Sequence, residues 1–224
     1  MTDVSNSPRK VWLRRRLVQI GVATLEEHGW RVEKIQRAGK SSVRRITKGS
    51  LSRVVSIRTT QDTWIAFPRT NDDRGWVTLS EVDAVVAVSV DDRYNPKYGQ
   101  VHLIEGDEMR ERFDRAYKAR KAAGHSIPRG RGVWVSLYDP DAKEPVSQVG
   151  GGAGLDHPPI GRVLLEPFTG SVEPEGVERA DTDDEPFQAR ADSEDRSLTI
   201  SEAKRLLALS LGVDPSNIKI TVEA

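Results

Sequence analysis

The sequence predicts an α/β fold in which a central mixed sheet is flanked by helices. Three observations predict it. Short runs rich in β-branched and aromatic residues recur between Ser42 and Leu137, each closed by polar turn residues. The run Val82 to Val90 (V-D-A-V-V-A-V-S-V) is apolar almost throughout, as a strand buried on both faces must be. Two segments of helical periodicity, one before these runs and one among them, each offer an apolar stripe to lay on a sheet.

In chain order, Ser7-Pro8 opens the first helix, with Ser7 as N-cap and Pro8 in the first turn. Its stripe is Val11, Leu13, Leu17, Ile20, Val22 and Leu25, and Gly29 ends it after His28. Trp30 to Ile35 alternates apolar and polar over its first four residues and reads as a half-buried strand. Strands follow near 43–48, 53–59, 63–67, 82–90 and 101–104. The runs Val54 to Ile57 and Trp64 to Phe67 flank a polar cluster, Thr59 to Asp62, so they read as an adjacent antiparallel pair. A second helix starts at Asp107, a good N-cap, and stops at Gly124; Met109, Phe113, Ala116, Tyr117 and Ala123 form its stripe. Val133 to Leu137 is one more strand, and the folded core is expected to close soon after.

This gives a division into a flexible N-terminus at 1–7, an α/β core at 8–138, a linker at 139–195 and a small unit at 196–224. Gly150 to Gly154 (G-G-G-A-G) is linker-like. Pro158 to Phe168 has enough apolar residues to lie on the core as an extended arm. Residues 171–195 carry ten acids and two arginines, the composition of a disordered segment. That segment serves either to compete for a basic surface or merely to solubilise. The last stretch reads as strand, helix, strand: Ser197 to Ile200, a helix capped by Ser201 with Ala203, Leu206, Leu207 and Leu211 inward, and an alternating Ile218, Ile220, Val222. It is too small to stand alone and is expected to dock, dimerise or bind a partner.

Composition narrows the function. The chain has no cysteine, which removes disulfides, thiolate metal sites and a cysteine nucleophile. Mean hydropathy is −0.53 and no apolar run is long enough to span a bilayer, so no membrane partner and a cytoplasmic location are expected. Net charge is zero, yet residues 1–135 hold 26 Lys and Arg against 16 Asp and Glu, leaving 8 against 18 in the remainder. An asymmetry of that size points to a nucleic-acid partner. The cations concentrate in two places. Arg14, Arg15 and Arg16 follow Lys10 near the start of the first helix, where cations oppose the positive end of the helix dipole unless an anionic partner offsets them. Arg110, Arg112, Arg115, Lys118, Arg120 and Lys121 exceed the acids of the second helix, which makes that helix the leading phosphate-facing candidate. Arg129 and Arg131 sit in the basic loop that follows.

Known chemical motifs are few. Gly39-Lys40-Ser41-Ser42 lacks the first glycine of a phosphate loop, because position 34 is Lys34. The four histidines have no metal-ligand spacing. The strand Ser56-Ile57-Arg58 followed by Thr59-Thr60, set after a helix and two strands and before a buried strand and a basic helix, resembles the central strand of restriction-endonuclease-like proteins of the PD-(D/E)-x-K class. The resemblance covers residues 10–137. It implies a nuclease-like core in which two acids hold Mg²⁺ and a lysine positions the attacking water. Here Ser56 stands at the acid position, Arg58 at the lysine position, and no Asp or Glu lies between Lys34 and Arg58. Arginine stays protonated and does not replace that lysine. The resemblance therefore implies a catalytically inactive nuclease-like protein with a degenerate active site, no catalytic residues, no bound metal and no cofactor. It would hold nucleic acid, DNA first, through phosphate contacts from Arg14, Arg15, Arg44, Arg45, Lys48, Arg53, Arg58, Arg112, Arg115, Lys118, Arg129 and Arg131. Two other readings stay open. One is an assembly subunit that meets a second copy or a protein partner through 196–224. The other is an active nuclease that uses Mg²⁺ with migrated acids such as Glu33, Asp62 or Glu81.

Overall fold

The computed structural model describes residues 7–35, 42–128, 130, 132–166, 204 and 219. The chain divides into two units, 1–188 and 189–224, and every element below belongs to the first. The basic-loop residues Arg129 and Arg131, the Gly39-to-Ser41 turn and the acidic stretch lie outside the described residues, as does the C-terminal strand-helix-strand apart from Lys204 and Lys219.

Helix α1 spans Pro8–Glu27. Ser7 caps it, its hydroxyl accepting from the Lys10 amide at 3.4 Å, and Pro8 sits in the first turn. It ends at His28, with Gly29 left-handed at φ 80°. Six strands form one sheet in the order β1 (Arg31–Lys34), β2 (Val43–Lys48), β3 (Leu51–Thr60), β5 (Ala84–Val90), β6 (Tyr98–Glu105) and β8 (Gly161–Leu164). Only β3 and β5 run parallel; the other neighbours are antiparallel. Every residue of β5 is buried, as its unbroken apolar run requires.

The sheet carries a core on each face. On one, Leu17, Ile20 and Leu25 of α1 meet Ile46, Val55, Ile57, Val86 and Val88. On the other, Val85, Ala87 and Ile104 meet helix α2 (Gly106–Ala122) through Met109, Phe113 and Ala116. That second core also takes in β4 (Trp64–Pro68) and β7 (Gly132–Ser136), which pair with each other as a separate two-stranded sheet. Helix α1 approaches β5 closely at Gly21, where a Cβ would lie 2.7 Å from Val88 Cγ2. Gly21→Val is therefore expected to push α1 off the sheet and cost about 3 kcal/mol, read as a lower urea midpoint at unchanged m-value. A loss below ~0.5 kcal/mol would mean that the helix seats elsewhere.

Three expectations are corrected. Val54 to Ile57 and Trp64 to Phe67 are not partners: β3 lies between β2 and β5, and β4 leaves the sheet for β7. The turn between them explains the change of direction. Thr63 adopts φ 70°, and Asp62 accepts from the Thr60 hydroxyl at 2.9 Å and the Trp64 amide at 3.3 Å, so the chain leaves the β3 plane. Asp107 lies in the first turn of α2 rather than at the cap, which Glu105 occupies; there it pairs with Arg110 at 2.5 Å. Finally, residues 139–166, expected as linker and arm, are packed. Gly150 to Gly154 are buried, the short helix α3 (Ala153–Asp156) follows, and β8 pairs with β6. The arm expectation thus holds from Pro158 to Glu166, and the linker expectation fails for the glycine run. Gly150 must be glycine for a packing reason: φ is 84°, and a Cβ there would collide with the Arg112 carbonyl of α2.

Candidate nucleic-acid interface

The helix singled out by its excess of cations spends most of them on the protein itself. Arg110 donates to the carbonyls of Leu79 at 2.8 Å and Val82 at 3.0 Å. Arg120 donates to the Trp134 carbonyl at 2.6 Å. Arg112 is 6% exposed; it pairs with Glu108 at 2.8 Å and with Asp156, and it donates to the carbonyls of Gly150 and Gly151. Arg115 pairs with Asp141 at 2.8 Å. Glu108 is drawn up by burial, but Arg112 and His157 together hold it below its ordinary value. The charge count that made α2 conspicuous is thus balanced by carbonyls and by acids from 139–157. Of its expected contact residues, Lys118 stays exposed, Arg115 is paired, and Arg112 is turned inward.

The remaining expected cations fall on the β2–β3 hairpin, on the first half of β2 and on α1. Lys48 and Arg53 belong to the end that carries the β2–β3 turn. Lys48 donates to the His28 carbonyl at 2.8 Å, which fixes the last turn of α1 there. Arg53 pairs with Glu105 at 2.5 Å and donates to the Asp83 carbonyl at 3.1 Å. Both act as structural ties.

The others lie on β1–β2 and on the first half of α1. Gln61, just past β3, donates to the Lys10 carbonyl at 2.8 Å, so the first half of α1 lies over the far end of β3. Register places Lys34 opposite Arg44, Glu33 opposite Arg45, and Val43 opposite Ser56. Strand alternation puts Arg44 on the α1 face with Ile46, and Arg45 on the other face with Val43. Arg15 and Arg45 are exposed, while Arg14 and Arg44 are half-buried. Helix α1 has no acid in its first turn, nor any before Glu26. Lys10 and Lys34 extend the cluster beyond the residues expected from sequence. Lys34 was hidden because its nearness to Arg44 is a fact of register, which the chain order does not display.

The strand that carries the nuclease resemblance is used for packing. Ser56 is completely buried, with its hydroxyl 3.4 Å from that of Ser42. The Arg58 guanidinium lies across the Phe67 ring at 4.5 Å, a cation–π contact that seats β4 against β3. Glu33 pairs with Arg31 at 2.9 Å, Asp62 serves the turn, and Glu81 is exposed on a short 3-10 segment at Leu79–Glu81. Among the described residues, no three His, Asp or Glu side chains gather as a metal site would require. Among the described residues, no helix is long and apolar enough to cross a membrane. No protein-family model, curated protein or solved structure matches the chain.

Proposed function

We propose that this protein binds nucleic acid through its phosphates with cations of α1 and of β1–β2, on a core of restriction-endonuclease-like descent that cuts nothing. One observation carries the reading. Lys34, Arg44 and Arg45 lie together on β1–β2 with Glu33 the single acid in register among them, and Lys10, Arg14 and Arg15 lie on the acid-free first half of α1, while Arg110, Arg112, Arg115 and Arg120 of α2 are engaged within the protein. Cations in that arrangement suit phosphates, which contribute affinity without sequence information. The inactive reading rests on Ser56 and Arg58 at the positions where a nuclease of that class needs an acid and a lysine.

The test is a titration of labelled duplex and single-stranded DNA with the full chain at several salt concentrations, with and without Mg²⁺. Six phosphate contacts predict a log–log slope near −5 for duplex DNA, hence a loss of about a thousandfold in affinity between ~50 and ~200 mM salt. The DNA should emerge intact. Salt-independent binding, or none at ~50 mM, would end the reading and turn attention to protein partners. Cleavage abolished by EDTA would replace it with the metal-dependent nuclease.

A further inference from the structure

A second polar cluster joins the segment 138–157 to β6 and α2. His102 on β6 is completely buried. Its Nδ1 lies 2.7 Å from the His157 carbonyl and its Nε2 lies 2.8 Å from the Tyr138 hydroxyl. A carbonyl only accepts, so Nδ1 carries the proton and the neutral ring accepts from Tyr138 at Nε2. His157 Nε2 meets Glu108 at 2.6 Å. Arg112 holds Asp156 and the carbonyls of Gly150 and Gly151, and Asp141 receives Arg115 and the Gly150 amide. From Tyr138 to His157, the segment is thus tied down at its beginning, middle and end by polar contacts.

We propose that the segment 138–157 is an acid-released strap over α2, with His102 as the group whose protonation loosens it. The charged and titratable groups around the His102 ring are few. Tyr138 is in contact, with Ser89 of β5 reaching its hydroxyl and Asp91 acting on it from beyond the end of β5. The His157 ring, Glu108, Arg112 and Asp156 stand behind the His157 carbonyl. Both of these carboxylates are already engaged by Arg112, so a proton on His102 would create a buried charge with no counter-ion of its own. Burial accordingly holds His102 below its ordinary value, despite the favourable His157 carbonyl. A histidine depressed in the closed state contributes stability that is complete above its free value of about 6.5 and is lost as pH falls toward the depressed value. Release would bare Arg112 and Arg115, the two cations of α2 that the strap neutralises.

The experiment is hydrogen exchange with mass spectrometry on the full chain at about pH 7.5 and 5.5, corrected for intrinsic exchange. Opening of 138–157 should rise about tenfold more than that of β3 and β5, the factor for a proton bound only in the open state one unit below its free value. His102→Gln keeps a donor and an acceptor without titrating and should abolish the difference; His157→Asn should retain it. Equal responses of strap and sheet in the unaltered protein overturn the proposal, as does a strap response that survives His102→Gln or vanishes in His157→Asn. Should His102→Gln not fold, the His102 ring resonances of the unaltered chain decide. A midpoint well below ~6.5 supports release, and one at or above it overturns release.

Discussion

Replacing Arg15 by Glu and Arg45 by Gln together is expected to weaken duplex DNA binding about a hundredfold at ~50 mM salt and to flatten the salt slope by about two. Each phosphate contact contributes a slope near −0.9, so each lost contact removes roughly one decade between ~50 mM and ~1 M salt. Both side chains are exposed, one on α1 and one on β2, so their loss does not open the core. Gln is chosen at position 45 because Glu33 lies directly opposite in register, where a second acid would repel it. The matched control is Lys118→Glu on α2, a single exposed cation outside that set. It should change affinity by less than about threefold. If Lys118→Glu weakens binding as much as the double change, the interface is α2 and the α1 and β1–β2 cations are not the site. If neither does, phosphate contacts by Arg15 and Arg45 are excluded.

How far the chain could be read without coordinates depended on how local each feature is. The helix over 8–27, the strands at 43–48 and 84–90, and the helix over 106–122 were visible, because period and caps are written within a dozen residues. The exit of β4 from the sheet was not. Two apolar runs around a polar cluster look like a hairpin, and only the backbone of Thr63 and the hydrogen bonds of Asp62 show otherwise. The glycine run at 150–154 misled for a different reason. Glycine is read as freedom when no partner is in view, yet here its small size admits the Arg112 carbonyl and the Arg112 side chain at once. Arginines were the least readable residues. Counted along the chain, Arg53, Arg58, Arg110, Arg112 and Arg120 look like one basic surface. In the fold they hold carbonyls, a phenyl ring and acids distant in sequence, and no periodicity announces those partners. What survives as candidate interface is the set near a chain segment poor in acids, and that poverty was already plain in the sequence between Lys34 and Arg58.

Arg112→Met should cost about 3 kcal/mol of folding stability and leave nucleic-acid affinity unchanged. Methionine keeps most of the apolar stem, so lost packing is small and the charge is what is removed. With it go the ion pairs to Glu108 and Asp156 and the hydrogen bonds to Gly150 and Gly151. Removing one partner of a buried charge cluster costs ~3–5 kcal/mol, because the groups left behind stay desolvated. The low end applies here, since the Glu108 side chain is 30% exposed and that of Asp156 63%, and both retain some access to water. The Gly150 and Gly151 carbonyls have no such access, because both residues are buried. Denaturant unfolding measures the total, and a double-mutant cycle with Glu108→Gln isolates the pair: the combined loss should fall short of the sum by at least ~1 kcal/mol. A phosphate-binding Arg112 predicts the reverse pattern, with stability within ~0.5 kcal/mol of the unaltered protein and a salt slope reduced by about one. The two results are mutually exclusive, so a single substitution decides whether α2 is a binding surface or the anchor of the segment packed on it.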